Sequence, residues 1–115
     1  MTLPRDGGAD VEAVFAAGLS GYYPSPYLTP NDLKALSDLC LKGTRVICNI
    51  EAFEIDGETE IPRLDLGLYG EDSLEKSKSW PERAADSAKF IEYFLAEVAK
   101  EPNPIMFQVW LDWAE

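Results

Sequence analysis

Between Glu51 and Asp72 the chain sets eight carboxylates (Glu51, Glu54, Asp56, Glu58, Glu60, Asp65, Glu71 and Asp72) against a single base, Arg63. That stretch carries −7 of a formal net charge of −11. Carboxylates at this density could do acid–base catalysis, hold a cation, or attract a basic macromolecule. Catalysis needs two carboxyls in a cleft, in surroundings that separate their pKa values. Only Asp65, flanked by Leu64 and Leu66, has neighbours that suggest an unusual setting, and a hydrogen bond to the local backbone accounts for it better than catalysis does. A calcium loop needs alternating Asp/Asn ligands and a distal bidentate Glu, and the run from Asp56 to Glu60 lacks both.

The rest of the chain offers little other chemistry. With no histidine, the usual general base, the usual zinc ligand and every Ser/His or Cys/His pair are missing. Cys40 and Cys48 have no metal-ligand spacing and fall at apolar positions, so both are expected as buried free thiols. Neither a phosphate-cradling glycine loop nor a Gly-x-Ser-x-Gly elbow occurs. No catalytic, cofactor-binding or metal-ligating residue is therefore assigned, and the chain is not expected to be an enzyme.

Recognition remains. A pI near 4.3 argues against nucleic acid and anionic membranes, whose phosphates would repel the chain. It favours a basic protein partner, with a merely solvated acidic face as the equal competitor. Aromatic residues next to the acids, Phe53 and Tyr69, could anchor such a partner, as could Tyr22, Tyr23 and Tyr27 in the proline-stiffened loop around Pro24 and Pro26. That loop is equally suited to packing over a core edge.

The elements that must hold these residues follow from periodicity and punctuation. At 115 residues with 46% hydrophobic content, the chain is one domain's worth of sequence, 1–115, with enough apolar side chains for a core. Residues 1–9, with Pro4, Gly7 and Gly8, read as a loose terminus. Asp10 can cap a short helix to about Ala17, stopped by Gly18. Thr29-Pro30-Asn31-Asp32 starts a second helix, with Leu33, Leu36, Leu39 and Cys40 as its buried stripe and Lys42-Gly43 as its end. A hairpin over about 44–69 turns at Asp56-Gly57. In its first arm Val46, Cys48, Ile50 and Ala52 alternate on one face, with Ile47, Phe53 and Ile55 on the other. Pro62 makes the second arm an edge strand, and Gly67 marks a bulge or a close backbone approach. After a polar connection, Ser79-Trp80-Pro81-Glu82 is a capping box. It opens a long helix over about 81–99 with Ala84, Ala88, Ile91, Leu95 and Val98 in one stripe, widened by Phe90 and Phe94. Residues 105–111 read as a C-terminal strand, with a short helix as the competing reading. The sum is an α+β domain: a small antiparallel sheet packed with two N-terminal helices and one long helix.

The hairpin and its flanks resemble the immunity-protein-40 family of bacterial polymorphic toxin systems. The resemblance spans about residues 28–98. It rests on Glu51-Ala-Phe-Glu54 in the first arm, Leu64-Asp65 in the second, and Ser87, Phe90, Ile91 and Tyr93 in the long helix. The family has a glycine pair where this chain has Asn49-Ile50, and an aromatic residue soon after the Asp of the second arm, where this chain reaches Tyr69 only later. The resemblance implies a small cytoplasmic inhibitor that binds and neutralises a toxin encoded beside it.

The expectation is therefore an acidic, cytoplasmic immunity protein without a cofactor, its partner a basic, nuclease-like toxin that acts on an anionic substrate such as RNA or DNA. The partner-binding residues would be Glu51, Phe53, Glu54, Asp56, Glu58, Glu60, Asp65, Tyr69, Glu71 and Asp72. Two alternatives stand beside it. A nucleic-acid mimic would need carboxylates spaced like phosphates along an extended face. A small carboxylate-dependent enzyme would use Asp65 as its base.

Overall fold

A computed structural model describes residues 11–17, 25–42, 45–69 and 79–113. In chain order it contains helices α1 (Val11–Ala17) and α2 (Pro30–Lys42), then strands β1 (Arg45–Asp56) and β2 (Thr59–Pro62). A 3-10 turn (Leu64–Leu66), strand β3 (Leu68–Tyr69), helix α3 (Trp80–Val98) and strand β4 (Ile105–Trp113) complete it. The fold is α+β, as the sequence predicts, and residues 105–113 are strand. The expected loose terminus at 1–9, the Asp10 cap, the Gly18 and Gly43 stops and the connection 70–78 lie outside the described residues.

Both longer helices begin where their caps require. Asp32 takes the place of Glu in a reciprocal cap on α2: its amide donates to Thr29 Oγ1 and its carboxylate accepts from the Thr29 amide, each at 3.1 Å. On α3 the capping box is complete, with Ser79 Oγ accepting from the Glu82 amide at 3.3 Å. The buried stripe of α3 includes Ala84, Ile91 and Phe94 as expected, but also Ser87 and Arg83, while Phe90 is exposed. Arg83 is accommodated with its guanidinium 4.4 Å from the Trp80 ring centre.

Everything in the sheet hydrogen-bonds to β1. Strand β4 runs antiparallel along it from Arg45↔Trp113 to Glu54↔Ile105. Asn49 and Ile50 also pair with β3, and Phe53 and Glu54 also pair with β2. A strand has only two edges, so β2 and β3 lie in file along the edge opposite β4. The second hairpin arm breaks between them because Pro62 has no amide to donate. Arg63 makes one more ladder bond, to the Ala52 carbonyl at 2.8 Å, and the chain then loops out through the 3-10 turn. The far edge of β4 is covered in turn. Leu28 and Phe107 exchange amide–carbonyl bonds of 2.7 and 2.9 Å, and the Ser25 amide donates to Val109. The end of the proline-stiffened loop thus packs over a sheet edge, blocking it as an aggregation template.

Two local readings of β1 are corrected. The hairpin's two turn residues are Gly57-Glu58, since Asp56 pairs directly with Thr59. Gly57 has φ +64° and no other described residue has positive φ, so the turn is the kind that takes Gly first, where only glycine is free of strain. The second correction concerns the faces. The register with β4 slips between Ile47 and Asn49, leaving Cys48 as the extra residue of a β-bulge. The bulge moves Ile47 onto the same face as Ile50 and Ala52, opposite Leu111, Val109 and Phe107. It also leaves Cys48 only half-buried, its thiol 3.4 Å from the Trp110 carbonyl. The carbonyl of Ile47 is met by Ser87 Oγ from α3 at 2.8 Å, in a fully buried bond. Strict alternation carries no sign of this bulge, because neither glycine nor proline marks it.

The sheet consequently has an inner and an outer face. On the inner face, Ile47, Ile50, Ala52, Leu68, Ile105, Phe107, Val109 and Leu111 form one core with Leu33, Leu36 and Cys40 of α2 and Ala84, Ile91 and Phe94 of α3. Burial pushes the Cys40 thiol up to about 12, even with Arg45 drawing it the other way.

Candidate recognition face

The outer face is built by the other half of the alternation. Along β1 it presents Asn49, Glu51, Phe53 and Ile55. Their cross-strand partners are Trp110, Gln108 and Met106 on β4, and Tyr69, Pro62 and Glu60 on the second arm. Residues directly opposite each other in a sheet point to the same side. Met106 is 6% exposed yet does not belong to the core cluster, which fits burial on this second side.

Tyr27 reaches this face from the segment that covers β4. Its ring meets Phe53 edge-on, with centroids 5.7 Å apart and planes at 76°, a geometry the aromatic quadrupoles favour. Its hydroxyl hydrogen-bonds the Glu60 carboxylate. Burial first, and that carboxylate second, push the phenol up to about 12, so it stays a protonated donor at neutral pH. At the other end of the face, Tyr69 folds back over Gly67. A Cβ on Gly67 would lie 2.8 Å from the Tyr69 hydroxyl, so a side chain here would displace the Tyr69 ring, and it is this close approach, not its φ of −97°, that favours glycine.

The sequence-expected acids divide into three sets. Glu51 and Glu60 lie on the outer face with Phe53 and Tyr69. Asp56 and Glu58 sit beside it at the exposed hairpin tip. Glu54 and Asp65 do not join them. Both bind Arg63: its Nη1 meets Glu54 Oε1 at 2.8 Å, and Nε and Nη2 meet the two Asp65 oxygens at 3.0 and 2.9 Å. Glu101, just beyond α3, is a third carboxylate on the same guanidinium, and Asn103 donates to Glu54 at 3.0 Å. The Asn103 hydrogen bond and then Arg63 hold the Glu54 carboxyl below its ordinary range, and Arg63 does the same for Asp65. This cluster ties the edge arm to the end of α3. Asp65 is corrected accordingly: its side chain is 61% exposed, its neighbour Leu64 is 75% exposed, and a carboxylate held ionised by a bidentate arginine is a weak base. Glu71, Asp72, Tyr22 and Tyr23 lie outside the described residues.

Sequence reasoning missed Trp110, Met106 and Gln108 as members of the face. The only signal for them was the alternation of the last strand, which becomes informative once its pairing partner is known. No Lys or Arg occurs on β2, β3 or β4, and the one base of β1 is Arg45. Arg45 shares the parity of Ile47 and sits 4.4 Å from the Phe15 ring centre of α1. Among the described residues the outer face is therefore aromatic and negative, with no Lys or Arg from its own strands to balance it. Among the described residues no group of acids or thiols is disposed to hold a metal ion, and no helix is long and apolar enough to cross a membrane. No family model, curated protein or solved structure matches the chain.

Proposed function

We propose that this protein is a small acidic inhibitor that binds a basic protein through the outer face of its sheet and the adjoining hairpin tip. The partner we propose is a toxin, as the resemblance to the immunity-protein-40 family implies, acting inside the cell on an anionic substrate such as a nucleic acid. The observation that carries the reading is the outer face itself. It combines the aromatic side chains Tyr27, Phe53, Tyr69 and Trp110 with the carboxylates Glu51 and Glu60, and its strands bring no base to it among the described residues. Aromatic groups supply the buried area of an interface, and unbalanced acids select and steer a Lys- or Arg-rich partner. A nucleic-acid mimic is the weaker reading, because the described acids of the hairpin gather at one tip and one face instead of following a phosphate-like path.

The experiment is a neutralisation assay. The C-terminal domain of a large secreted protein encoded immediately upstream is expressed in cells with and without this chain. Growth arrest relieved by this chain supports the reading; arrest that persists despite expression of the folded protein removes it. In the purified pair, Glu58→Lys with Glu60→Lys is expected to slow association about tenfold at low salt and to flatten its salt dependence. Unchanged association would take the acidic tip out of the docking surface.

A further inference from the structure

Glu51 differs from the other described acids of the hairpin and its second arm. Glu54 is held by Arg63 and Asn103, Asp65 by Arg63, and Glu60 by the Tyr27 hydroxyl. Asp56 and Glu58 stand at the tip in open solvent. Glu51 is exposed too, but it stands in the middle of the longest strand and its side chain makes no hydrogen bond or ion pair among the described residues. Gln108 lies directly opposite it and Asn49 precedes it on the same face, and aromatic residues stand beside these. Phe53 follows two positions along the same face, and Trp110 lies diagonally across, opposite Asn49. On the other edge the second arm has looped out of the ladder at this level, so no β-residue pairs with Glu51 there. That gap is where Tyr69 leans back over Gly67.

We infer that Glu51 is the seat of a single arginine side chain of the partner. This rests on the reading of the outer face as a protein-binding surface, and names the group it takes. A carboxylate beside Phe53 and Trp110 offers a cation both a charge and aromatic surface, and a partner that brings one both pairs it and shields it from water. A guanidinium suits the position better than an ammonium. Its planar fork can engage both carboxylate oxygens while its flat face lies on Phe53 or Tyr69. The acids of the tip then act on approach, and Glu51 acts on residence.

The test uses N-acetyl-arginine methylamide as the probe, titrated into the whole protein and followed by amide and indole proton–nitrogen correlation spectra. The lysine and citrulline analogues are the comparisons. Saturable shifts centred on Glu51, Phe53, Tyr69 and the Trp110 indole are expected, strongest for arginine and lost for citrulline, which has the shape without the charge. Glu51→Gln, an exposed and nearly isosteric change, should weaken arginine binding about tenfold. Glu58→Gln should leave it within about twofold, because exposed charges at a distance are screened. Shifts centred on the tip, or an arginine affinity indifferent to Glu51→Gln, would overturn the assignment. Arginine binding at Glu51 alongside failed toxin neutralisation would keep the site and remove the toxin reading. Neutralisation without arginine binding at Glu51 would do the reverse.

Discussion

Replacing Ser87 by alanine probes the bond that fixes the phase of the sheet. The Ser87 hydroxyl is buried and donates to the Ile47 carbonyl at 2.8 Å, next to the bulge at Cys48. Ser87→Ala removes only the oxygen, so the change in buried apolar area is small. The cost is the net hydrogen bond, about 0.5–1.5 kcal/mol, or the full penalty of a buried acceptor left unpaired, about 1–3 kcal/mol. A loss of about 1–3 kcal/mol is a sizeable share of the 5–15 kcal/mol typical of a domain. At about 4 °C per kcal/mol for a domain of this size, the melting temperature should fall by roughly 4–12 °C. Urea titration followed by tryptophan fluorescence measures this directly, provided the slope with denaturant is unchanged. A loss below about 0.5 kcal/mol at unchanged slope would mean that the Ile47 carbonyl has another partner, and that Ser87 does not hold the bulge. The stake is larger than one bond. The face on which Glu51 and Phe53 appear depends on the register around Cys48, and a slip of one residue exchanges the two faces of a strand.

Arg63→Met should make stability less sensitive to acid. Glu54 and Asp65 have folded-state pKa values below their ordinary ones, so the stability they contribute is present above the unfolded-state values and is lost as pH falls through the folded ones, below about pH 4; urea midpoints across pH 2–6 (an assay window on the order set by carboxylate titration) should be flatter in the variant. Gly67→Ala should displace the Tyr69 ring, read as a change in the Tyr69 ring resonances with the rest of the spectrum preserved, since the added methyl group would meet the ring at 2.8–3.0 Å. Ultraviolet titration should find one tyrosine ionising near pH 12, and Glu60→Gln should bring it only part of the way back, because burial is the larger cause. Alkylation of the native protein, read by peptide mass, should modify Cys48 well before Cys40, whose thiol is buried and pushed up to about 12.

Much of the fold was legible because its signals are local. The Thr29 and Ser79 caps, the glycine of the hairpin turn, Pro62 as the mark of an edge strand and the stripe through Ala84 and Ile91 each act within a few residues of where they are written. The site was legible only in part, because membership of a face depends on pairing. Glu54 and Glu51 look alike in the sequence, yet one turns towards Arg63 and Glu101 and the other towards the open side. The inner–outer exchange at Cys48 decides which hydrophobic residues are core, and nothing local marks it. Arg63 stood out as the lone base among eight acids, but that it gathers Glu54, Asp65 and Glu101 follows from the end of α3 returning to the edge arm, a contact between residues 38 positions apart.

The pairing of β1 with β4 also sets a schedule for the chain as it is made. The ladder that completes the central strand needs residues 105–113, and the segment at Ser25–Leu28 waits for the same strand. A ribosome adds about 5–20 residues per second, so β1 spends several seconds with one edge open before its partner emerges. During that interval the nascent chain has helices and a hairpin tip, but neither the inner core nor the recognition face. Only once residues 105–113 have been synthesised can both faces of β1 acquire their neighbours. Removal of residues 105–113 should then behave as a failure to fold.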